Sequence, residues 1–475
     1  MNLKVNDLKK YKRIHLIGIG GISMSAIAET LHNWGYTVTG SDITRSEITD
    51  KLNEHNITTT IGHDLINSKN ADLIVYSAAI KETDPEILIA KEKNIPLVGR
   101  GEFVGLLTKM YKETICIAGT HGKTTTTSMV SVCFLNAQKD PTIEVGAILK
   151  NINGNYKIGK SEFFILESCE YKGNFLKFFP HAEIILNIDN DHLDYYKTFD
   201  NVVKAFQDFS KILPSDGVLI TNADDKNCYN LKNITKSKFI SYGIENENAN
   251  FVAKNITYDD NGFAHFDVYK NGNLLCNLDL SVAGKHNVLN ALACTALCDY
   301  YNIDVDVIKK SLKEFTGAER RLEFKGYITP KNSTTPSVSV FDDYGHHPTE
   351  IEATANAISE KKYNESWVIF QPHTYSRTKT HLDSFARVLT KFDHIILLDI
   401  YAAREKNTIG ITSKDLAQKI KDLGREALYM PNFEDVVTYI KSNVKDKDLV
   451  LTLGAGTKDL AGTSTTKLTL PWRYK

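Results

Sequence analysis

Residues 114–136, TICIAGTHGKTTTTSMVSVCFLN, decide the fold because they join an apolar strand to a helix through a glycine-bearing loop. The run at 114–118 is rich in β-branched residues and predicts a buried strand. The run from Thr124 to Asn136 predicts the helix that follows it. Between them lies GTHGK, which has the residue types of a phosphate-binding loop in the strand–loop–helix context that such a loop requires.

The chemistry of this loop predicts a bound nucleoside triphosphate. Glycines let backbone N–H groups converge on phosphate oxygens, and the helix N-terminus adds the positive end of its dipole. Lys123 would neutralise the β- and γ-phosphates, and the Thr124 hydroxyl would ligate Mg²⁺. The usual pattern has a further glycine where this chain has Ile117. A glycine-rich turn with a stray lysine is the alternative interpretation.

On both sides of this loop, β-branched runs alternate with amphipathic helical stretches, which predicts parallel α/β layers. At roughly 150 residues per domain, a chain of 475 residues allows about three domains. Three such blocks follow one another, divided near residues 104 and 316. Asn271-Gly272 predicts a two-residue hairpin turn, so the central block is expected to carry an antiparallel addition to its sheet.

The composition argues against several classes of protein. Lys and Arg number 57 against 58 Asp and Glu, and a net charge of -1 is not expected of a protein that coats nucleic acid or an anionic membrane. No apolar run approaches the roughly 20 residues of a membrane-spanning helix. The N-terminal residues lack the apolar region of a secretory signal.

The seven cysteines include no CxxC pair and predict reduced thiols in the cytoplasm. Cys294 and Cys298 lie four residues apart in a predicted helix. We expect these two to pack as small apolar residues rather than to bind zinc.

A second glycine-rich turn, Gly18-Ile19-Gly20-Gly21, follows the first predicted strand, and Asp42 lies about 20 residues further on. This spacing is typical of a dinucleotide site, in which the acidic residue meets ribose hydroxyls. The third glycine of that pattern is replaced by Ser23. The turn therefore predicts NAD, another nucleotide, or only close packing of strand and helix.

Carboxylate and imidazole side chains follow two strands of the central block. Glu167 begins ESCEY, and His192 lies in NIDNDHLDYY. Because the carboxyl ends of parallel strands present ligands, Glu167 and His192 are candidates for binding the magnesium of a nucleotide. Solvated loop residues are the alternative interpretation, and it has more weight for Glu170 and Asp191 than for Glu167 and His192.

In the C-terminal block, DDYGHHP at 342–348 and FQPHTYSRT at 370–378 each follow a predicted strand. Loops at such positions face each other across a crevice and predict a small-molecule pocket. The guanidinium fork of Arg377 suits a carboxylate. Polar loops with satisfied histidines are the alternative.

Nine motifs of the chain, in this order, resemble those of the Mur ligases of peptidoglycan synthesis: GIGGISMS, VTGSD, GTHGKTTT, ESCEY, NIDNDHLDYY, GKHNVLNALA, DDYGHHPTEI, FQPHTYSRT and LGAGT. The resemblance runs from about Arg13 to Gly462. GTHGKT is shared with a wider superfamily that includes folylpolyglutamate synthetases. DDYGHHPTEI and the PHTYSR run point to the members that add L-alanine to UDP-N-acetylmuramate.

The resemblance implies three domains: a Rossmann-like UDP-sugar domain at 1–104, a P-loop ATPase-like domain with a mixed sheet at 105–316, and a Rossmann-like amino-acid domain at 317–475. It implies an ATP-dependent ligase that activates the lactyl carboxylate of UDP-N-acetylmuramate as an acyl phosphate. L-Alanine then attacks, and ADP and phosphate are released. The implied partners are these small molecules, with no nucleic acid or membrane, in a cytoplasmic monomer or weak homodimer.

The resemblance also implies roles for individual residues. ATP would contact Gly119, Thr120, His121, Gly122, Lys123, Thr124, Thr125, His286, Asn290, Arg321 and Asp343. The UDP sugar would contact Gly18, Gly20, Gly21, Ser41, Asp42, Ser77 and Arg100. Alanine would contact Tyr344, His346, His347, His373 and Arg377.

Within these sets, magnesium, or Mn²⁺ in its place, would be bound by Thr124, Glu167 and His192. The catalytic residues would be Lys123, Glu167, His192, His346 and Arg377. Three alternatives stay open: a recycling ligase that joins a whole peptide to UDP-N-acetylmuramate, a nicotinamide-dependent oxidoreductase, and an inactive nucleotide-binding scaffold.

Overall fold

The computed structural model describes residues 8–331, 333–403 and 405–456. Thr457, the last residue of the LGAGT motif, lies outside the described residues. The chain forms an α/β protein with three sheets, one for each predicted block. Its residues group into two compact units. Unit 1 is Met1–Lys254, Val268–Cys276 and Leu289–Leu312; unit 2 is Asn255–Asp267, Asn277–Val288 and Lys313–Lys475.

The first sheet is parallel, with strand order β3-β2-β1-β4-β5. Its strands are β1 (Arg13–Ile17), β2 (Thr37–Asp42), β3 (Thr58–Ile61), β4 (Leu73–Tyr76) and β5 (Leu97–Gly99). Its helices are α1 (Ile22–Asn33), α2 (Glu47–Glu54), α3 (Leu65–Asn70), α4 (Pro85–Glu92) and α5 (Arg100–Thr108). The strand order reverses between β1 and β4, which confirms the Rossmann-like prediction and leaves a crevice at their carboxyl ends.

The second sheet has ten strands in the order β15-β14-β13-β12-β11-β10-β6-β9-β7-β8. They are β6 (Glu113–Ala118), β7 (Thr142–Leu149), β8 (Gly154–Lys157), β9 (Phe163–Glu167), β10 (Ala182–Ile185), β11 (Val218–Asn222), β12 (Lys238–Gly243), β13 (Phe251–Tyr258), β14 (Phe263–Lys270) and β15 (Asn273–Ala283). The helices are α6 (Lys123–Asn136), α7 (Leu193–Tyr196), α8 (Phe199–Ser210), α9 (Lys226–Tyr229), α10 (Lys285–Tyr300) and α11 (Val305–Glu314).

The predicted hairpin of this second sheet is confirmed. Asn271 has φ 49° and Gly272 has φ 82°, the pair of left-handed residues that a type I′ turn requires. The turn joins β14 to β15. Strands β7 and β8 are also antiparallel, whereas β6 is parallel to both of its neighbours, so the sheet is mixed as predicted.

The third sheet has the order β16-β17-β21-β18-β19-β20. Its strands are β16 (Glu323–Ile328), β17 (Val338–Asp343), β18 (Ser366–Phe370), β19 (His394–Leu397), β20 (Ala427–Tyr429) and β21 (Leu449–Leu453). Its helices are α12 (Pro348–Ser359), α13 (Tyr375–Thr380), α14 (Leu382–Leu389), α15 (Ser413–Asp422) and α16 (Phe433–Asn443). The antiparallel strand β16 was not predicted, because its charged sequence is that of a partly exposed edge strand.

Every helix within the described ranges is too short or too polar to cross a bilayer.

A buried carboxylate network stabilises the first sheet. Glu86 of α4 is fully buried, and its carboxylate accepts a hydrogen bond from His15 Nε2 at 2.8 Å. The hydroxyls of Ser41 and Ser68 each donate to the same carboxylate at 2.6 Å. Burial alone would raise the pKa of Glu86, but these hydrogen bonds, with His15 the largest, lower it from 4.5 to about 2.

We expect Glu86→Gln to lower the free energy of unfolding at neutral pH by about 3 kcal/mol, since one pKa unit corresponds to about 1.4 kcal/mol. Because the pKa is depressed in the folded state, this contribution is complete above pH 4.5 and is lost as the pH falls towards about 2. Urea unfolding across that range measures it. Glu82→Gln is the control, because the Glu82 side chain is 92% exposed. Equal stability of Glu86→Gln and wild type at neutral pH would contradict the prediction.

Candidate active site

Three loops of unit 1 meet at one edge of the second sheet. Strand β6 lies between β9 and β10 and is parallel to both, so the loops after these three strands leave the sheet side by side. They carry GTHGK, ESCEY and NIDNDH. The central position of β6 therefore places the phosphate loop between the two loops from which the candidate metal ligands come.

The glycines of the phosphate loop are required by its backbone. Gly119 has φ 135°, and a Cβ there would lie 3.0 Å from the side chain of Leu186. Gly122 has φ 84° at the N-cap of α6, and its Cβ would lie 2.8 Å from Asn290 Oδ1. Ile117 lies fully buried inside β6, so the strand continues where the usual pattern has its first glycine. The loop between this strand and its helix is therefore shorter than in the usual pattern.

Lys123 and Glu170 form a buried ion pair beneath this loop. Lys123 Nζ lies 3.0 Å from Glu170 Oε2 and also donates to the carbonyls of Gly119 and Thr120. Burial alone would lower the pKa of Lys123, but the charges of Glu170 and Glu167 outweigh it and raise the pKa. The structure excludes the alternative interpretation of Glu170 as a solvated loop residue: its exposed fraction is 1%, and Lys123 neutralises it inside the protein.

Oxygen ligands suited to a magnesium ion converge beside the ion pair. The Thr124 hydroxyl lies 3.1 Å from Glu167 Oε1, and Glu167 Oε2 accepts the amide of Gly146 at 2.8 Å. A hydroxyl and a carboxylate are the donors that Mg²⁺ prefers. The residues present therefore fit the ion that the sequence predicts.

His192 occupies a strained position at the same edge. It has φ 57°, which is costly for a residue other than glycine, and such strain is often kept at functional sites. Its Nε2 lies 3.6 Å from Glu170 Oε1, and its ring lies 4.8 Å from that of Tyr171. The structure thus places His192 beside Glu170, the partner of the loop lysine.

Sequence reasoning missed two residues that hold the phosphate loop. Asn187 accepts the amide of His121 at 2.7 Å and donates to its carbonyl at 3.0 Å. The Asp189 carboxylate lies 3.0 Å from His121 Nε2, and the backbone amide of Asp189 donates to Thr120 Oγ1 at 2.9 Å. Both lie in the NIDNDH motif that also holds His192, and this position directly after a strand was the available signal.

The predicted UDP-sugar residues lie at the crevice of the first sheet. Asp42 Oδ2 accepts the amide of Gly20 at 2.9 Å, and a Cβ on Gly18 would lie 3.0 Å from that of Ser77. Gly21 is the N-cap residue of α1. The Ser41 hydroxyl donates to the buried Glu86 carboxylate, so Ser41 stabilises the end of β2 beside the crevice.

Arg100 at the start of α5 is linked to the second sheet through Ser23. Arg100 Nη1 donates to Ser23 Oγ at 3.1 Å, and Ser23 Oγ donates to Glu144 Oε1 of β7 at 2.5 Å. Burial raises the pKa of Glu144. Ser23, which replaces the expected glycine, therefore connects Arg100 to the strand that also carries Gly146.

In unit 2, four of the five predicted amino-acid contacts form one cluster. The His346 ring lies 5.2 Å from that of Tyr344 and 5.5 Å from that of His373. Arg377 Nη1 lies 3.3 Å from His373 Nδ1. His347 has a different position: it caps α12 by accepting the amide of Thr349 at 3.3 Å and packs on His381.

The remaining predicted ATP contacts of unit 2 are the ionisable residues Asp343, which is buried, and His286 and Arg321, which are half-buried. Asp343 accepts the amides of Leu322 and Gly345, each at 2.7 Å, but burial outweighs these bonds and the charge of Arg321 and raises its pKa to about 6. Burial, followed by the charge of Arg321, lowers the pKa of His286 to about 4. At neutral pH this leaves a neutral imidazole and a mostly ionised carboxylate.

Three family models match successive parts of the chain. Residues 13–112 match "Mur ligase family, catalytic domain", residues 117–298 match "Mur ligase middle domain", and residues 320–456 match "Mur ligase, glutamate ligase domain".

Curated relatives match at nearly full length. The chain is 48% identical over 453 residues to the UDP-N-acetylmuramate–L-alanine ligase of Clostridium beijerinckii. The match covers 95% of this chain and 97% of that protein. It is 44% identical over 454 residues to the enzyme of the same name from Acetivibrio thermocellus, 96% and 95% of the two chains.

Solved structures show the same architecture. The UDP-N-acetylmuramate-alanine ligase MurC of Thermotoga maritima matches with a TM-score of 0.79 at 29% identity, covering 96% of this chain and 98% of that one. A murein peptide ligase of Psychrobacter arcticus shares the fold, with a TM-score of 0.69 at 23% identity over 98% of this chain and 100% of that one.

Proposed function

The chain belongs to the Mur ligase family, and from this premise we infer that it is an ATP-dependent ligase that adds L-alanine to UDP-N-acetylmuramate. This reaction belongs to the synthesis of peptidoglycan precursors. The observation that carries the assignment is identity of 44% to 48% over almost the whole chain to relatives of that name. The phosphate loop with its buried Lys123–Glu170 pair supports it.

The phosphate loop binds ATP in this proposal. The amides of residues 119–125, held in place by Asn187 and Asp189, face the phosphates, and Lys123 stabilises the γ-phosphoryl group as it is transferred. Asn290 contacts the nucleotide from its position beside Gly122. His286, Arg321 and Asp343 of unit 2 are the further ATP contacts.

Thr124 and Glu167 would hold a magnesium ion, with His192 and Glu170 close by. When bound, the ion offsets the repulsion between the phosphates and the carboxylate that attacks them. Mn²⁺ has the same preference for oxygen ligands and is an alternative occupant.

The first sheet binds the UDP sugar, and Ser41 stabilises this site through Glu86. The contacts are Gly18, Gly20, Gly21, Asp42, Ser77 and Arg100. The lactyl carboxylate of the bound sugar accepts the γ-phosphoryl group and becomes an acyl phosphate.

The amino-acid site lies in unit 2. Tyr344, His346 and His373 surround the alanine, and Arg377 binds the alanine carboxylate in a bidentate contact. The amine then attacks the acyl carbon and phosphate leaves. His346 is the candidate acceptor of the amine proton.

We also propose that the three domains meet at 104/105 and 316/317. The protein in this proposal is a cytoplasmic monomer or weak homodimer that binds neither nucleic acid nor membrane.

The test is phosphate release from ATP and Mg²⁺. We expect release that needs both UDP-N-acetylmuramate and L-alanine and that fails when D-glutamate or a tripeptide replaces alanine. Release with the tripeptide but not with alanine would contradict the assignment and favour the recycling ligase. Absence of release under every combination would favour an inactive nucleotide-binding scaffold.

The Arg100–Ser23–Glu144 link predicts a selective effect on the sugar substrate. Glu144→Leu removes the acceptor that holds Ser23, so Arg100 loses its fixed position and the KM for UDP-N-acetylmuramate should rise about tenfold, a loss of about 1.4 kcal/mol. Glu144→Gln keeps an acceptor oxygen and should recover most of that loss. The KM values for ATP and alanine should stay unchanged.

Glu247→Leu is the matched control for this measurement, because Glu247 has an exposed carboxylate on the same unit. An equal rise in all three KM values in Glu144→Leu would indicate general damage instead.

A further inference from the structure

Three cysteine thiols of unit 1 converge in a site that the proposed reaction does not use. Cys133 lies on α6, and Cys294 and Cys298 lie on α10; all three are fully buried. The Sγ atoms are 3.6 Å apart for Cys133 and Cys294 and 3.9 Å apart for Cys294 and Cys298. All three sulfurs lie within 4.8 Å of one another. We call these residues the trithiol cluster.

Helix geometry explains how the cluster forms. Residues four apart lie on the same face of a helix, so Cys294 and Cys298 present their sulfurs side by side. Cys133 meets them from the opposing helix, although it is 161 residues away from Cys294 in the sequence. Cys294 and Cys298 alone offer only two sulfur donors. A third sulfur donor changes what the site can bind.

We propose that the trithiol cluster binds one soft, monovalent metal ion, Cu⁺, between α6 and α10. The donors are all sulfur, a ligand type shared by Cu⁺, zinc and iron–sulfur clusters, and structural zinc almost always takes four ligands. An ion about 2.3 Å from each of three sulfurs in one plane would separate them by about 4.0 Å, and the two spacings of 3.6 and 3.9 Å lie just below that value. The described residues add no histidine or carboxylate to the cluster, which favours an ion satisfied by three ligands.

The position of the cluster gives binding a structural consequence. Helix α6 begins at Lys123 of the phosphate loop, and α10 carries Asn290 beside Gly122. An ion bridging these helices would tie them together. Because a ligand that binds only the folded state stabilises it, the melting temperature should rise with Cu⁺.

The test is anaerobic transfer of Cu⁺ from a chromogenic chelator to the reduced full-length protein. We expect the wild type to take up one equivalent and to melt at a higher temperature. The Cys133→Ala/Cys294→Ala variant should lose at least a hundredfold in affinity and show no rise in melting temperature. The matched control, Cys228→Ala/Cys276→Ala, removes two buried cysteines outside the cluster and should behave as wild type.

Two further measurements separate a loss of metal binding from a loss of folding and count the sulfur ligands. Circular dichroism shows whether the cluster variant folds, and Cys298→Ser, a smaller change, should by itself weaken binding at least tenfold. X-ray absorption of the loaded wild type should show about three sulfur neighbours. Equal uptake by the cluster variant, or no uptake by a wild type with all seven thiols reduced, would overturn the proposal.

Discussion

Replacing Lys123 with alanine should lower kcat at least a thousandfold while the protein stays folded. In the proposed complex with ATP, the ammonium group stabilises the phosphates, and removal of one such electrostatic contact costs about 10²–10³ in rate. Here the loss should be larger, because Lys123→Ala also leaves the buried Glu170 carboxylate uncompensated next to the anionic nucleotide.

The same uncompensated carboxylate should reduce stability, so folding must be measured together with activity. Lys123→Ala/Glu170→Gln removes the buried charge and should recover the melting temperature without recovering kcat. Lys236→Ala, at an exposed lysine, is the control and should keep wild-type activity. A near-normal kcat in Lys123→Ala would refute the assignment of the phosphate loop.

Arg377→Ala should raise the KM for L-alanine about a hundredfold, with a small change in the KM for ATP. A bidentate contact between a guanidinium and a carboxylate is worth about 3 kcal/mol, which corresponds to that factor. Arg377 lies beside His373 in the Tyr344–His346–His373 cluster, so its loss removes a guanidinium group from the proposed alanine site.

Steady-state kinetics with alanine as the varied substrate measures this effect. Arg377→Lys keeps the charge but not the fork, and it should fall between wild type and Arg377→Ala. Arg387→Ala, at an exposed arginine on the following helix, should leave the KM for alanine unchanged. If Arg377→Ala also leaves it unchanged, Arg377 does not bind the amino acid.

Local sequence pattern accounts for much of the fold. The strand, loop and helix at 114–136 appear within one residue of the predicted bounds, as β6, GTHG and α6. The Asn271-Gly272 turn has the backbone that its residues predict. The edge strand β16 escaped prediction, because its polar, charged sequence has no periodicity that separates it from a loop.

Local sequence pattern also accounts for only part of the candidate site. The phosphate-loop motif and the positions of residues after strands predicted Lys123, Thr124, Glu167 and His192, and the structure brings Thr124 to Glu167 and His192 to Glu170. Burial was harder to predict. The sequence could not exclude a solvated Glu170, since a lone glutamate in a loop carries no mark of the lysine that neutralises it 47 residues earlier.

The sequence by itself determined that this chain has three α/β blocks, a phosphate loop on the central one and the motifs of a Mur ligase. These properties depend on residues close together in the chain, where periodicity and turn chemistry act. Only the tertiary structure decided that Glu170 pairs with Lys123, that Asn187 and Asp189 hold the phosphate loop, and that Cys133 joins two other thiols. The physical reason is that burial and partnership depend on strand order and helix packing, which bring together residues that no local pattern connects.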